Sequence, residues 1–94
     1  MAAAEMKSVA TRRFWDLFDD LPREVQTLAI KTYHLWRVNP NHPSLHFRRL
    51  QGGDDRFTVR IGDHYRALGR QREDTVTWVW IGSHSDYDRL VRTN

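Results

Sequence analysis

Residues 57–69 read FTVRIGDHYRALG and residues 76–87 read VTWVWIGSHSDY. In the first stretch Phe57, Val59 and Ile61 alternate with Thr58 and Arg60, the period-2 signature of a strand with one buried face. Gly62-Asp63 supplies a tight turn. Tyr65, Ala67 and Gly69 then alternate with Arg66 and Leu68 in the next strand. A polar turn from Gln71 to Asp74 leads into the second stretch. There Val76, Trp78 and Trp80 fall on one face and Thr77, Val79 and Ile81 on the other. Apolar character on both sides marks this strand as central, or as the floor of a site. Leu45 to Gln51 is expected as a strand ahead of these, ended by Gly52-Gly53-Asp54-Asp55, which completes a four-stranded meander.

Outward from these strands the period changes to 3.6. From Val9 to Leu21, Phe14, Leu17, Phe18 and Leu21 recur at i, i+3, i+4 and i+7, one helical stripe. Asp19-Asp20-Leu21-Pro22 breaks it. Pro22 suits the first turn of a second helix, with Glu24 near the positive end of its dipole. That helix carries Val25, Leu28, Ala29, Thr32 and Trp36 on one face, and Asn39-Pro40-Asn41-His42-Pro43 stops it. After Gly82 a short helix is expected, capped by Ser83 or Ser85, with Tyr87, Leu90 and Val91 as its apolar stripe. The expected fold class is α+β: an N-terminal helical hairpin packed on a four-stranded, mainly antiparallel sheet, with a short C-terminal helix. No linker divides the chain, so residues 1–94 form one domain, with residues 1–8 as a frayed extension.

With 94 residues, 39% of them hydrophobic and 29% charged, the chain has the composition of a small globular domain. Eleven aromatics, four of them tryptophan, supply much of a small core. The absence of cysteine excludes disulfides, thiolate nucleophiles and cysteine-ligated zinc, and fits a reducing cytoplasm. No apolar run approaches the ~20 residues of a membrane span, and the opening MAAAEMKSVA lacks the apolar core of a secretory signal. Lysine and arginine exceed aspartate and glutamate by 15 to 12, a net charge of +3 that permits an anionic partner without requiring one.

Alternation gives the charges a direction. If Phe57, Val59 and Ile61 face the helices, Arg60 faces away, and on the next strand Arg66 joins it. Two arginines on neighbouring strands suit a phosphate clamp. They equally suit a solvated sheet face, since exposed antiparallel faces are normally polar. His84 lies just past the central strand, where a histidine can act as general acid or base. Tyr87 follows one helical step later, placed either to stack on a base or to anchor the helix in the core. Asp86 and Asp88 either orient the imidazole or favour the positive end of the helix dipole. His42 and His46, four residues apart, are a metal pair only on a helix. Pro43 between them argues against that, so no metal and no cofactor is expected.

The order of elements, with LHFRRLQGGDDRFTVRIGDHYRALG at 45–69 and VTWVWIGSHSDYDRL at 76–90, resembles the RelE/ParE superfamily of bacterial type II toxins. Its small members show a basic strand, a strand opening on Tyr-Arg, and a terminal His or Arg with a nearby Tyr. The corresponding segments are FTVRIG, HYRALG and GSHSDY. The likeness spans roughly residues 21–91 and includes the Leu21-Pro22 corner. It implies a toxin paired with a cognate antitoxin and, for RelE-type members, a metal-independent endoribonuclease that cuts mRNA on the ribosome. In that chemistry the ribose 2′-OH attacks the adjacent phosphate.

By that resemblance Arg66 is the oxyanion stabiliser, His84 the acid/base and Tyr87 the aromatic that stacks on RNA. Arg60, Arg48 and Arg49 are RNA-binding. The sequence departs from the pattern at Thr58, where a second basic residue is often found, and in the strand that usually precedes the helix pair, which MKSVA could supply. Two alternatives stay open: a ParE-like, non-catalytic inhibitor of DNA gyrase, and a degenerate member that only binds its antitoxin.

Overall fold

The computed structural model describes residues 6–50 and 55–92. The elements run β1 (Lys7–Ala10), α1 (Arg12–Asp19), α2 (Arg23–Val38), a short 3-10 turn (Pro43–Leu45), β2 (Arg48–Arg49), β3 (Arg56–Ile61), β4 (Tyr65–Arg72), β5 (Thr75–Ser83) and α3 (His84–Arg92). The sheet order is β1-β5-β4-β3-β2. The strands from β2 to β5 form the expected antiparallel meander.

Several expectations need correction. The sheet has five strands and is mixed, because β1 pairs in parallel with β5, Lys7 opposite Thr75 and Ala10 opposite Trp78. Lys7 and Ser8, expected in the frayed extension, are therefore ladder residues, while residues 1–5 lie outside those described. Four residues are too few to show a period, and their partner is made some 70 residues later. The Trp78 indole N–H donates to Ser8 Oγ at 3.1 Å and the Thr11 N–H to the Trp78 carbonyl at 3.0 Å, so β1 is tied to the middle of β5. Helix α1 accordingly starts at Arg12 rather than Val9, with Thr11 Oγ1 accepting from the Phe14 N–H as its cap.

The strand expected over Leu45 to Gln51 shrinks to Arg48–Arg49. Pro43 opens a 3-10 turn, and His46 follows in the left-handed region (φ 45°, ψ 47°), so extended pairing cannot begin earlier. Gln51 and the expected turn at Gly52-Gly53-Asp54 fall outside the described residues.

The core lies between the sheet and the helices. Phe57, Val59, Ile61, Ala67, Val76, Trp78 and Ile81 meet Ala29 and Trp36, with Phe14, Leu17 and Phe18 packed alongside. Trp78 is its centre: Trp36 and Phe57 both stand edge-on to it, with ring centroids 5.1 and 5.4 Å away. Leu28, expected inside, is 37% exposed and rests over the Gly62 turn. The helical pair does not close on itself. A groove of about 280 Å³ remains between α1 and α2, lined by Val9, Phe14, Trp15, Ile30, Tyr33 and the Trp78 floor.

Gly69 makes room for the core. A methyl group there would stand 2.9 Å from Phe57 Cζ and 3.1 Å from Trp78 Cε3, atoms of two packed rings that cannot retreat. Gly69→Ala is expected to cost about 1–3 kcal/mol through overpacking. Urea unfolding should show this as a lower midpoint at unchanged slope; an unchanged midpoint would mean that the rings yield.

One irregularity decides what the sheet's outer face looks like. Leu68 pairs with Trp80 but Gly69 pairs with Trp78, so Val79 is an extra residue in β5. This bulge reverses the alternation beyond it. Trp78 stays in the core, whereas Trp80 turns to the opposite face and Ile81 takes the inner place. The expectation that Trp78 and Trp80 share a face does not hold.

Candidate functional site

Paired residues of neighbouring strands share a face. Register puts Arg60 opposite Arg66 and Arg56 opposite Arg70, while Arg48 faces Thr58. These five arginines therefore occupy the outer face, two pairs of them directly cross-strand, and alternation along β4 adds Arg72. Like charges so placed repel, and an anion bound between them would relieve the repulsion. The floor beneath them is dry: Thr58 is 1% exposed, and Leu68 and Trp80 are 6% exposed. Guanidinium–anion attraction over such a floor is stronger than on a fully wetted face. Trp80 lies flat against β5 because residue 82 is glycine; a methyl there would come within 2.7 Å of the indole.

The end of β5 brings the chemistry together. Tyr65 pairs with Ser83, so the chain leaves the sheet beside the start of β4, and the His84 N–H donates to the His64 carbonyl at 2.7 Å. Ser83 Oγ accepts from the Asp86 N–H and caps α3, as one of the two expected serines. Arg66 Nε donates to His84 Nδ1 at 3.0 Å. A guanidinium cannot accept a hydrogen bond, so Nδ1 carries the lone pair and the ring proton sits on Nε2. That nitrogen faces Asp88 Oδ2 at 3.3 Å, one helical turn on. The Arg66 guanidinium also lies over the Tyr87 ring, 5.5 Å from its centroid, and Tyr87 leans on Trp80 at 6.1 Å. Arg66, His84 and Tyr87 thus form one cluster, with Asp88 orienting the imidazole.

The basic residues proposed from the sequence divide. Arg60 shares the face with Arg66, but it is tied down: Nε donates to the Gly62 carbonyl at 2.8 Å, and one terminal nitrogen pairs with Asp63 at 2.9 Å. The other terminal nitrogen reaches His46 Nε2 at 3.2 Å. Arg48 is on the same face and exposed. Arg49 is not. It pairs with Phe57 on the inner face, lies over the Phe47 ring at 5.5 Å and reaches Gln71 at 3.4 Å. His42 and His46 are drawn apart: His42 Nδ1 accepts from the Ser44 N–H at 3.1 Å, and His46 turns to Arg60.

Sequence reasoning passed over Arg56 and Arg70, although the same period-2 rule that picked Arg60 and Arg66 reaches them two steps further along each strand. Asp88 was legible from its four-residue spacing to His84. His46 carried no usable signal, because its left-handed backbone leaves no trace in a residue pattern.

Among the described residues no helix is long and apolar enough to cross a membrane. Several solved structures share the fold. The RelB-RelE antitoxin-toxin complex from Methanococcus jannaschii superposes with a TM-score of 0.71 at 12% identity, covering 85% of this chain and 94% of that one. The YoeB/ParE toxin from Agrobacterium tumefaciens gives 0.67 at 16% identity, over 84% and 99%. The intact RelBE toxin-antitoxin complex from E. coli gives 0.64 at 15%, over 82% and 94%. No curated protein matches the sequence significantly. Residues 23–89, well over half of the chain and including the whole arginine face, match the model of the ParE-like toxin domain. The chain belongs to the family of ParE-like toxin domains.

Proposed function

We propose that this domain is the toxin of a type II toxin–antitoxin pair and that it cuts mRNA on the ribosome in the cytoplasm, without a metal. The observation that carries this reading is the Arg66–His84–Asp88 chain under Tyr87. Two separately held nitrogens fix the orientation and tautomer of the imidazole, as proton transfer requires.

The chemistry follows from those contacts. An RNA phosphate on the arginine face draws Arg66 off His84 Nδ1, and the guanidinium then stabilises the charge of the five-coordinate phosphorus. His84 Nδ1, now open, takes a proton from solvent and aims it into the space that Arg66 has left, with the Asp88 carboxylate at Nε2. That proton goes to the departing 5′-oxygen. Tyr87 and Trp80 offer ring faces on which a base stacks. Arg48, Arg56 and Arg70 track the backbone. The toxin's antitoxin would silence it by covering this face with carboxylates.

Primer extension on messages bound to programmed ribosomes tests the reading. Discrete 5′ ends within the A-site codon are expected with the folded protein, and none in its absence or without ribosomes. A toxic, folded protein that leaves every message intact would point instead to the gyrase-binding alternative. The half-exposed Val9, Trp15 and Ile30 around the groove between α1 and α2 favour that second reading, as an apolar protein contact.

A further inference from the structure

Arg60 and Arg66 are register partners, so their Cα atoms stand about 4.5–5.5 Å apart. Each holds a histidine: Arg66 holds His84 at 3.0 Å and Arg60 holds His46 at 3.2 Å. The order across the face is His46, Arg60, Arg66, His84. We infer that His46 is a second catalytic residue, the general base that faces His84 across the two arginines. This inference rests on the nuclease reading above.

Three features of His46 point this way. It is exposed at the edge of the basic face. It adopts a left-handed backbone that a residue with a side chain enters only at a cost, and such strain collects at functional positions. It is also braced from both sides. Leu45, 1% exposed, anchors the turn before it, and its own N–H donates to the Pro43 carbonyl at 3.1 Å. Arg60 is fixed in turn by Gly62 and Asp63, so the Arg60–His46 contact has a defined position.

The tautomers differ in a useful way. Arg60 donates to His46 Nε2, so that nitrogen carries the lone pair. His84 has a carboxylate at its far nitrogen to support a second proton, and no contact of that kind is seen at His46 among the described residues. In-line displacement puts the entering and leaving oxygens on opposite sides of phosphorus, which calls for two proton carriers flanking the phosphate. Phosphate takes over the Arg60 nitrogen and frees His46 Nε2. The 2′-OH proton passes to His46 as the 2′-oxygen bonds to phosphorus. The bond from phosphorus to the 5′-oxygen breaks, and that oxygen takes the proton from His84. The products are a 2′,3′-cyclic phosphate and a free 5′-OH, with one proton moved from His84 to His46.

The test is single-turnover cleavage on programmed ribosomes across pH, using His46→Gly and His46→Ala. His46→Gly relieves the left-handed backbone, so its melting temperature should equal or exceed that of the wild type while its rate falls about 10²-fold or more. The variant should also lose the rise in rate on the acidic side of the profile, and added imidazole should restore part of the activity. A rate within about threefold of wild type, or a loss with unchanged pH dependence and no rescue, would overturn the role of His46 alone. A wild type that never cuts would overturn both this role and the nuclease reading.

Discussion

Arg66→Ala is expected to lower ribosome-programmed cleavage by about 10²–10³-fold, the effect of removing one preorganised donor from a developing oxyanion. His84→Ala should cost about 10²–10⁴-fold, the range of general acid catalysis. The double variant should be little worse than the worse single one, because Arg66 and His84 touch each other and act as a unit. Neither change should unfold the domain. Arg66 stands cross-strand from Arg60, so removing it also removes a repulsion, and stability should stay within about 0.5 kcal/mol. Matching melts beside the rate measurements separate the two effects. Cleavage at wild-type rates from both single variants would place the chemistry elsewhere on the chain.

The second large effect concerns stability. Trp78→Ala should cost about 3–5 kcal/mol, against a total of about 5–15 kcal/mol for a domain. Trp78 packs edge-on to two rings and donates to Ser8 Oγ, so truncation opens the core and also releases the side-chain tie to β1. Denaturant unfolding followed by far-ultraviolet circular dichroism would measure the loss. A cost under about 1.5 kcal/mol, the level of a tolerated core swap, would show that Trp78 is not the centre of packing.

The fold and the site were legible to different depths. The meander from Phe57 to Ile81 and the first two helices follow from period alone, because burial on one face imposes alternation in strands and a stripe in helices. The Arg60–Arg66 adjacency follows from the same rule across one tight turn. Two features escaped it. A bulge at Val79 inserts a residue without changing composition, so Trp80 moved to the other face unannounced. The β1–β5 pairing is parallel and joins segments far apart in the chain, where no local pattern can report it. Arg48 and Arg49 show the same limit on a small scale: neighbours in sequence, they sit on opposite faces because one strand residue separates the two sides.

The early strand β1 has consequences for how the protein is born. It leaves the ribosome before the other described elements, yet the indole that meets Ser8 and its ladder partner in β5 are made some 70 residues later. Non-local pairings of this kind form slowly and close only when both ends are present. A nascent chain halted before Trp78 therefore has two helices, a partial meander and an apolar edge, but neither a closed sheet nor His84. The Arg66–His84 contact can form only after both helices and the strands before it have been made, so the outer face is assembled late relative to the helices.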